Sequence, residues 1–320
     1  MRQLAAGEFV LAIDIGGTKL AAAQVDADGA VHGRRQVPTA PTSSGQGDGL
    51  WATLLALVDE VCGGKSPAGV GVGCGGPMRA SDGAVSPLNI PAWRDFPLRA
   101  RLRDRFSSTV VRLANDAIAM AVGEHWRGAG QGARSFLGIV VSTGVGGGLV
   151  LDGRVLEGRT GNAGHVGHVV VDPDGPPCAC GGRGCLEAIA RGPAVVQWAL
   201  DNGWQPAGDL PSTGATLLAA AQRGDAVAIA AFERAGDAVG VAIASAAHLL
   251  ELEIVAIGGG LANAGELLLG PARVAFARHV RMSFASGCRI VTATLGADAG
   301  LVGAAALVAG GDRYWPTGAD

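Results

Sequence analysis

Lysine is almost absent from this chain of 320 residues: Lys19 and Lys65 stand against 23 arginines, and the net charge is −3. No long basic run occurs, which argues against nucleic acid as the main partner. Long apolar runs are missing too. Gly, Asp or Arg interrupts each one before the ~20 clean residues that a membrane span requires. Residues 1–9 carry Arg2 and Glu8 but no apolar stretch of the signal-peptide kind, so a cytoplasmic location is expected, with no membrane partner. A disulfide framework would be unusual in a cytosolic chain of this size. Of the six cysteines, Cys178, Cys180 and Cys185 are bunched, while Cys62, Cys74 and Cys288 are scattered. Bunched cysteines in that setting more often hold a metal.

What the chain has in quantity is apolar residues, at 48%, and glycine, at 53 residues. Its length is comfortable for two domains. The glycines show no collagen period. They cluster in short runs beside apolar stretches, as phosphate-cradling turns do. The apolar, β-branched stretch 9–15 runs into Gly16-Gly17, a second apolar run covers 20–25, and Asp28-Gly29 is a hairpin signal before another strand. The same grammar returns in the second half. A strand over 136–141 leads into the turn 142–148, a strand follows over 149–151, then the Asp152-Gly153 turn and a strand over 154–156. This internal repeat predicts two related α/β lobes with a ligand in the cleft between them.

Between the repeats, 49–62 reads as an amphipathic helix, 69–73 and 109–113 as strands, and Asn115-Asp116 as the opening of an alanine-rich helix. Helices are predicted over 193–199, 214–223, 226–250 and 300–308, and a strand over 253–257. The tail after Gly310 has no period and is expected to be loose. The predicted division is a small N-terminal lobe, 1–121, completed by a C-terminal helix over 300–320, and a large lobe over 122–299 that carries the cysteine cluster.

Five groups carry chemistry. In Asp14-Ile15-Gly16-Gly17-Thr18-Lys19, the glycines let backbone amides turn toward an anion, Asp14 can hold Mg²⁺ through water, and Lys19 can meet a phosphate. A plain hairpin turn is the alternative. Ser142-Thr143-Gly144 repeats the logic at an equivalent point. Gly258-Gly259-Gly260, after a strand, allows close approach of a flat ligand such as adenine, or is a simple turn. Asn115-Asp116 is either a helix cap or, through Asp116, the carboxylate that takes a hydroxyl proton in phosphoryl transfer. His168 with Cys178, Cys180 and Cys185 offers one imidazole and three thiolates, a closed set for structural Zn²⁺. Free reduced cysteines are the alternative.

Taken together and in this order, DIGGTK at Asp14, Asn115-Asp116, STGVGGG at Ser142, GHVGH at Gly164, CACGGRGCLE at Cys178 and the Gly258 turn resemble the ROK family, whose best-known members are bacterial glucokinases. The resemblance runs from about residue 9 to about residue 308. It implies a two-lobed actin-like (ribonuclease H-like) ATPase fold, ATP and Mg²⁺ as cofactors beside structural Zn²⁺, and a homodimer. Asp116 is implied as the catalytic base. Gly76, Asn89, Asn115, Asp116, His165, His168 and Glu187 are implied as sugar contacts, with Trp93 in the same sugar-side loop. Asp14, Gly16, Gly17, Thr18, Lys19, Thr143, Gly144, Gly259 and Gly260 are expected on the ATP side.

One position departs from the family pattern. His165 stands where family kinases carry Glu in Glu-x-Gly-His. A carboxylate accepts sugar hydroxyl hydrogens, whereas an imidazole can accept one and donate one, or carry a positive charge. The expected activity is therefore ATP-dependent phosphorylation of the 6-hydroxyl of glucose or of an amino-substituted glucose such as kanosamine. Polyphosphate as donor remains compatible. The competing expectations are a sugar-responsive regulator of the same family and a non-catalytic sugar-binding protein. Only thirteen residues precede Asp14, too few for a DNA-binding helix-turn-helix, and the presence of Asp116 with both glycine turns favours catalysis.

Overall fold

A computed structural model describes residues 4–5, 7–39 and 47–315. The chain opens with three strands, β1 (Val10–Ile15), β2 (Lys19–Val25) and β3 (Val31–Pro38). Helix α1 (Gly47–Cys62), strand β4 (Gly69–Cys74), the short strands β5 (Met78–Arg79) and β6 (Ala84–Val85), and helix α2 (Leu98–Arg105) follow. Strand β7 (Val110–Asn115) leads directly into α3 (Asp116–Arg127). A second meander, β8 (Phe136–Val141), β9 (Val145–Leu151) and β10 (Arg154–Leu156), precedes α4 (Leu186–Ala190), α5 (Gly192–Asp201), α6 (Gly214–Gln222) and α7 (Ala226–Leu250). Strand β11 (Ile254–Gly258), helix α8 (Glu266–His279), strand β12 (Arg289–Thr292) and helix α9 (Ala299–Ala309) complete the order. None of the helices among the described residues is long and apolar enough to cross a membrane.

These elements form two compact units. Unit 1 comprises Met1–Gly132, Gly148–Gly164 and Thr294–Asp320; unit 2 comprises Ala133–Gly147 and His165–Ala293. The sheet of unit 1 has the order β3-β2-β1-β4-β7. Its first three strands are antiparallel neighbours, and β1, β4 and β7 run parallel. The second sheet has the order β10-β9-β8-β11-β12, with β8, β11 and β12 parallel. Each sheet thus starts from a meander and is extended by parallel strands. The chain has the two-lobed actin-like (ribonuclease H-like) α/β fold.

The period of two in β1 builds both faces of the first sheet. Leu11, Ile13 and Ile15 join Leu54, Val58, Val70, Val72 and Trp93 in one core cluster. Full burial of each such aliphatic side chain contributes about 1.5–3 kcal/mol. Val10, Ala12, Ala21 and Ala23 face the other way, onto Leu301, Ala304 and Ala305 of α9. That second face is made of small residues because α9 comes very close. A Cβ on Gly71 would collide with the Ala304 carbonyl, and one on Gly303 with the Ala119 carbonyl of α3.

Two expectations need correction. The glycine run 142–148 is not a turn throughout: Val145–Leu151 is one strand, β9. Gly148 lies within it because a Cβ there would stand 2.7 Å from Ile118 Cα of α3, so close packing, not turn geometry, requires the glycine. The segment 311–315 is not loose either. Tyr314 and Trp315 are buried, the Tyr314 hydroxyl and His125 Nδ1 are 2.6 Å apart, and the Arg112 guanidinium lies over the Trp315 ring. Residues 316–320 of the expected closing helix lie outside the described residues.

Candidate functional site

In unit 1 the parallel register sets Asp14 beside Gly73, and Gly73 beside Ala114; the next row is Ile15, Cys74 and Asn115. All lie at the carboxyl ends of the strands, where open α/β sheets bind ligands. Asn115 caps α3, accepting a hydrogen bond from the Ala117 amide at 3.0 Å, and Asp116 Oδ1 accepts from the same amide at 2.8 Å. Both side chains therefore bond the same amide in the first turn of α3. Neighbouring side chains have been removed around these carboxylates. A Cβ on Gly75 would lie 3.9 Å from Asp116 Oδ2, and one on Gly300, in the first turn of α9, 3.2 Å from Asp14 Oδ2.

Burial, and then the nearby Asp116 charge, push the Asp14 carboxyl up to about 6, against opposing pulls from Lys19 and Arg34. Cys74 is in the next row, beside Asn115; burial, then Asp116 and Asp14, raise its thiol well above the usual range. Unit 1 therefore stores negative charge that a cation would relieve.

The first glycine turn is braced from below. The Gly16 amide donates to the Lys19 carbonyl at 3.0 Å, the Thr39 hydroxyl to the Gly16 carbonyl at 2.7 Å, and the Thr39 amide to the Thr18 carbonyl at 3.0 Å. Thr18 is exposed and Lys19 half-buried. The Asn89 side chain occupies the space a Cβ on Gly17 would need, and its Oδ1 would lie 3.4 Å from a Cβ on Gly75. Asn89 thus stands where the two glycine segments of unit 1 meet. Its loop is held by Arg94 Nη1, which donates to the carbonyls of Pro87, Ile90 and Trp93 at 2.7–2.9 Å. Trp93 is fully buried and stacks on Phe96 at 4.3 Å, so it supports the loop from the core. The Gly76 carbonyl accepts from the Leu88 amide, and the Gly76–Pro77 bond is cis.

Three residues of this neighbourhood were not singled out from the sequence. Asn162 bonds both backbone groups of Met78: its Nδ2 donates to the carbonyl at 2.9 Å and its Oδ1 accepts from the amide at 3.3 Å. Glu124 of α3 is fully buried and accepts from the amides of Ala129, Thr294 and Leu295 at 2.8–3.0 Å. It fixes the segment that leads to α9 and hence to Gly300. A lone acid after the apolar run 117–123 was the available signal for Glu124. Gly300 gave none, because its neighbour Asp14 is distant in sequence.

In unit 2, β8 ends at the turn Ser142-Thr143-Gly144, where the Ser142 amide donates to the Gly144 carbonyl at 2.8 Å. Gly259 follows β11 at φ +90, its α-carbon pressed so near the Val141 carbonyl that a Cβ would collide there. Gly260 lies near Ser142 as well: a Cβ on it would stand 3.7 Å from the Ser142 hydroxyl. The structure thus brings the second and third glycine turns together. Glu187, in the first turn of α4, accepts from the Val145 amide at 2.9 Å through Oε2. His165 is exposed, and its ring stacks with that of His168, centroids 6.2 Å apart and planes 13° apart.

His168, Cys178, Cys180 and Cys185 present ligand atoms that all lie within 4.8 Å of one another. His168 Nδ1 is 3.8 Å from the Cys178 sulfur, and the Cys180 and Cys185 sulfurs are also 3.8 Å apart. Tetrahedral Zn²⁺ with Zn–S near 2.3 Å requires a sulfur–sulfur edge of about 3.8 Å. The donor set therefore fits that ion. Burial, and then the two neighbouring thiols, push Cys185 up to about 12. A hydrogen bond from the Gly182 backbone lowers Cys180.

The Asp14 carboxyl yields a sign-definite expectation. Its folded value, about 6, exceeds the ordinary 3.8. The folded state therefore prefers the protonated acid, and the ligand-free protein carries a penalty that is complete above pH ~6 and vanishes below pH ~4. The difference corresponds to at most about 3 kcal/mol. Asp14→Asn should raise the urea midpoint of the ligand-free protein above pH ~7 and leave it near wild type at pH ~4. Equal midpoints of the two proteins at both pH values would contradict this.

The ROK family pattern matches residues 10–310. A glucokinase of Thermotoga maritima is 36% identical over 311 residues, covering 93% of this chain and 96% of the relative. An N-acetylmannosamine kinase of Yersinia pseudotuberculosis is 37% identical over 249 residues, 78% of this chain and 82% of the relative. Among solved structures, a ROK family glucokinase from Streptomyces griseus in complex with glucose and AMPPNP superposes with a TM-score of 0.82 at 35% identity, covering 95% of this chain and 100% of that one. With the strand-end carboxylates, the two glycine turns of unit 2 and the Cys₃His cluster in place, and a match over nearly the whole chain, the protein belongs to the ROK family.

Proposed function

We propose that the chain is an ATP-dependent hexose kinase that phosphorylates the 6-hydroxyl of glucose or of an amino-substituted glucose such as kanosamine. The observation that carries this reading is the Asp14–Asp116 arrangement at the strand ends, with glycine at 73, 75 and 300 where side chains would crowd it. Similarity to glucokinases over more than nine-tenths of the chain supports it. In this reading the sugar O6 attacks the γ-phosphorus as its proton passes to Asp116, and the bond from the γ-phosphorus to the β,γ-bridging oxygen breaks, releasing ADP. Mg²⁺, when bound, would supply charge neutralisation on the triphosphate, and Asp14 would hold it through water. In this reading Lys19, with the amides of Gly17 and Thr18 and of Thr143 and Gly144, faces phosphates, and Gly16 shapes the turn, its own amide donating to the Lys19 carbonyl. In this reading adenine approaches the backbone at Gly259 and Gly260.

The sugar side comprises Gly76, Asn89, Asn115, Asp116, His165, His168 and Glu187. Glu187 spends Oε2 on the Val145 amide, leaving Oε1 to accept from a sugar hydroxyl. His168 turns Nδ1 toward Cys178. A metal on Nδ1 fixes the proton on Nε2, which becomes a directed donor. Zn²⁺ in this cluster shapes the pocket from outside the reaction, since four protein ligands fill its coordination. Metal analysis should give one Zn²⁺ per chain, and Cys180→Ser should lose both the metal and thermal stability, because site formation and folding are coupled. Active protein with almost no metal would contradict the assignment.

His165 shapes the choice of sugar. An imidazole nitrogen can accept a hydrogen from an amino substituent, while the lost carboxylate weakens a charge-assisted bond to hydroxyls worth about 1.5–3 kcal/mol. ADP release should be measured over a panel of hexoses and amino-hexoses. Glucose should be turned over, with an amino-substituted glucose preferred in kcat/KM. His165→Glu should move the ratio toward glucose by about tenfold or more. An unchanged ratio would remove His165 from the specificity account, and no ADP release with any sugar would remove the kinase reading.

A further inference from the structure

Arg191 follows α4, and its position is set by that helix. Glu187, one turn earlier, reaches the Val145 amide with Oε2, and a Cβ on Gly144 would stand 2.9 Å from that same oxygen. Residues four apart share a helix face. The Arg191 amide donates to the Glu187 carbonyl at 3.2 Å, continuing the turn, and the Gly192 amide donates to the Ser142 carbonyl at 2.7 Å. The chain at 191–192 is therefore seated on the Ser142-Thr143-Gly144 turn, on the side from which Glu187 also approaches it.

The Arg191 side chain has a property that packing does not explain. Its Nε is buried and has no hydrogen-bond partner. Guanidinium carries five donors, and a buried donor left unmade calls for a partner such as an ion. Charge supply points the same way. Phosphoryl-transfer sites use cations against the charge on the transferring group, yet both lysines of the chain, Lys19 and Lys65, lie in unit 1. No lysine is therefore available for phosphate in unit 2, and Arg191 is an arginine seated at the turn.

We propose that Arg191 is an anion-binding residue that holds a phosphate oxygen of the nucleotide triphosphate at the Ser142-Thr143-Gly144 turn. This rests on the kinase reading and adds a residue to it. Nε and one Nη donate together, the bidentate mode in which guanidinium binds phosphate and which an ammonium cannot reproduce. The backbone turn then provides direction and Arg191 provides charge. Glu187 keeps its own partner, the Val145 amide, and remains on the sugar side.

The test is calorimetric binding of AMPPNP·Mg²⁺, adenosine and glucose to wild type, Arg191→Ala and Arg191→Lys. Arg191→Ala should weaken AMPPNP by about tenfold or more while adenosine and glucose stay within about twofold, since only the charged contact is lost. Arg191→Lys should recover part of the AMPPNP affinity, and the loss in Arg191→Ala should shrink as salt rises. Parallel loss of adenosine, AMPPNP and glucose binding would show a structural role and overturn the assignment. Unchanged AMPPNP affinity in either variant would overturn it as well. Wild type that binds no AMPPNP would remove the kinase reading itself, an outcome distinct from normal wild-type binding with an unaffected variant. If Arg191→Ala does not fold, the Arg191→Lys comparison alone decides, because it keeps charge and stem but not the fork.

Discussion

Two carboxylates held close at the end of a buried sheet repel each other and resist desolvation, and the architecture of unit 1 is organised around keeping them there. Asp14 bears the consequence, with its carboxyl pushed up to about 6 by burial and by Asp116. The surrounding backbone approaches them without side chains, at Gly73, Gly75 and Gly300. Helix α9 reaches Asp14 because the residue facing that carboxylate is Gly300, and because Glu124 anchors the segment before it. A cation bound there would lower the electrostatic cost and so couple ligand binding to stability of the unit.

Unit 2 uses a different economy of charge. Its glycine turns offer backbone amides, and its Cys₃His cluster offers a compact knot that fixes two neighbouring functional positions. His168 belongs to the cluster, and Glu187 follows Cys185 by two residues. Both side chains therefore sit on or beside the cluster residues rather than in a large apolar core. The same short helix carries the chain on to Arg191, so Glu187 and Arg191 are spaced by a single helical turn.

Much of this was legible in the sequence because it depends on local chemistry. A strand ending in Asp followed by Gly-Gly, an Asn-Asp pair opening an alanine-rich helix, and three cysteines within eight residues each dictate geometry over a short span. What stayed hidden depends on distant neighbours. The glycines at 146–148 look like a turn, but Gly148 is a strand residue made small by α3 passing beside it. Tyr314 and Trp315 look like a loose tail until His125 and Arg112, some 190–200 residues earlier, supply their partners. Gly300 and Asn162 act on groups far away in sequence, so no periodicity or motif marks them, and the lone acid Glu124 gives no sign of its distant partners Thr294 and Leu295. The capping reading of Asn115 and the catalytic reading of Asp116 competed in the sequence, yet the fold satisfies the first without precluding the second.

The account turns on Asp116 as the acceptor of the sugar proton. Turnover and sugar affinity measured together on Asp116→Asn test this most directly, because the amide keeps size and hydrogen-bonding shape but cannot take the proton. The expected result is a fall in kcat of about 10²-fold or more with sugar affinity retained. Near-normal turnover in the variant would contradict the account.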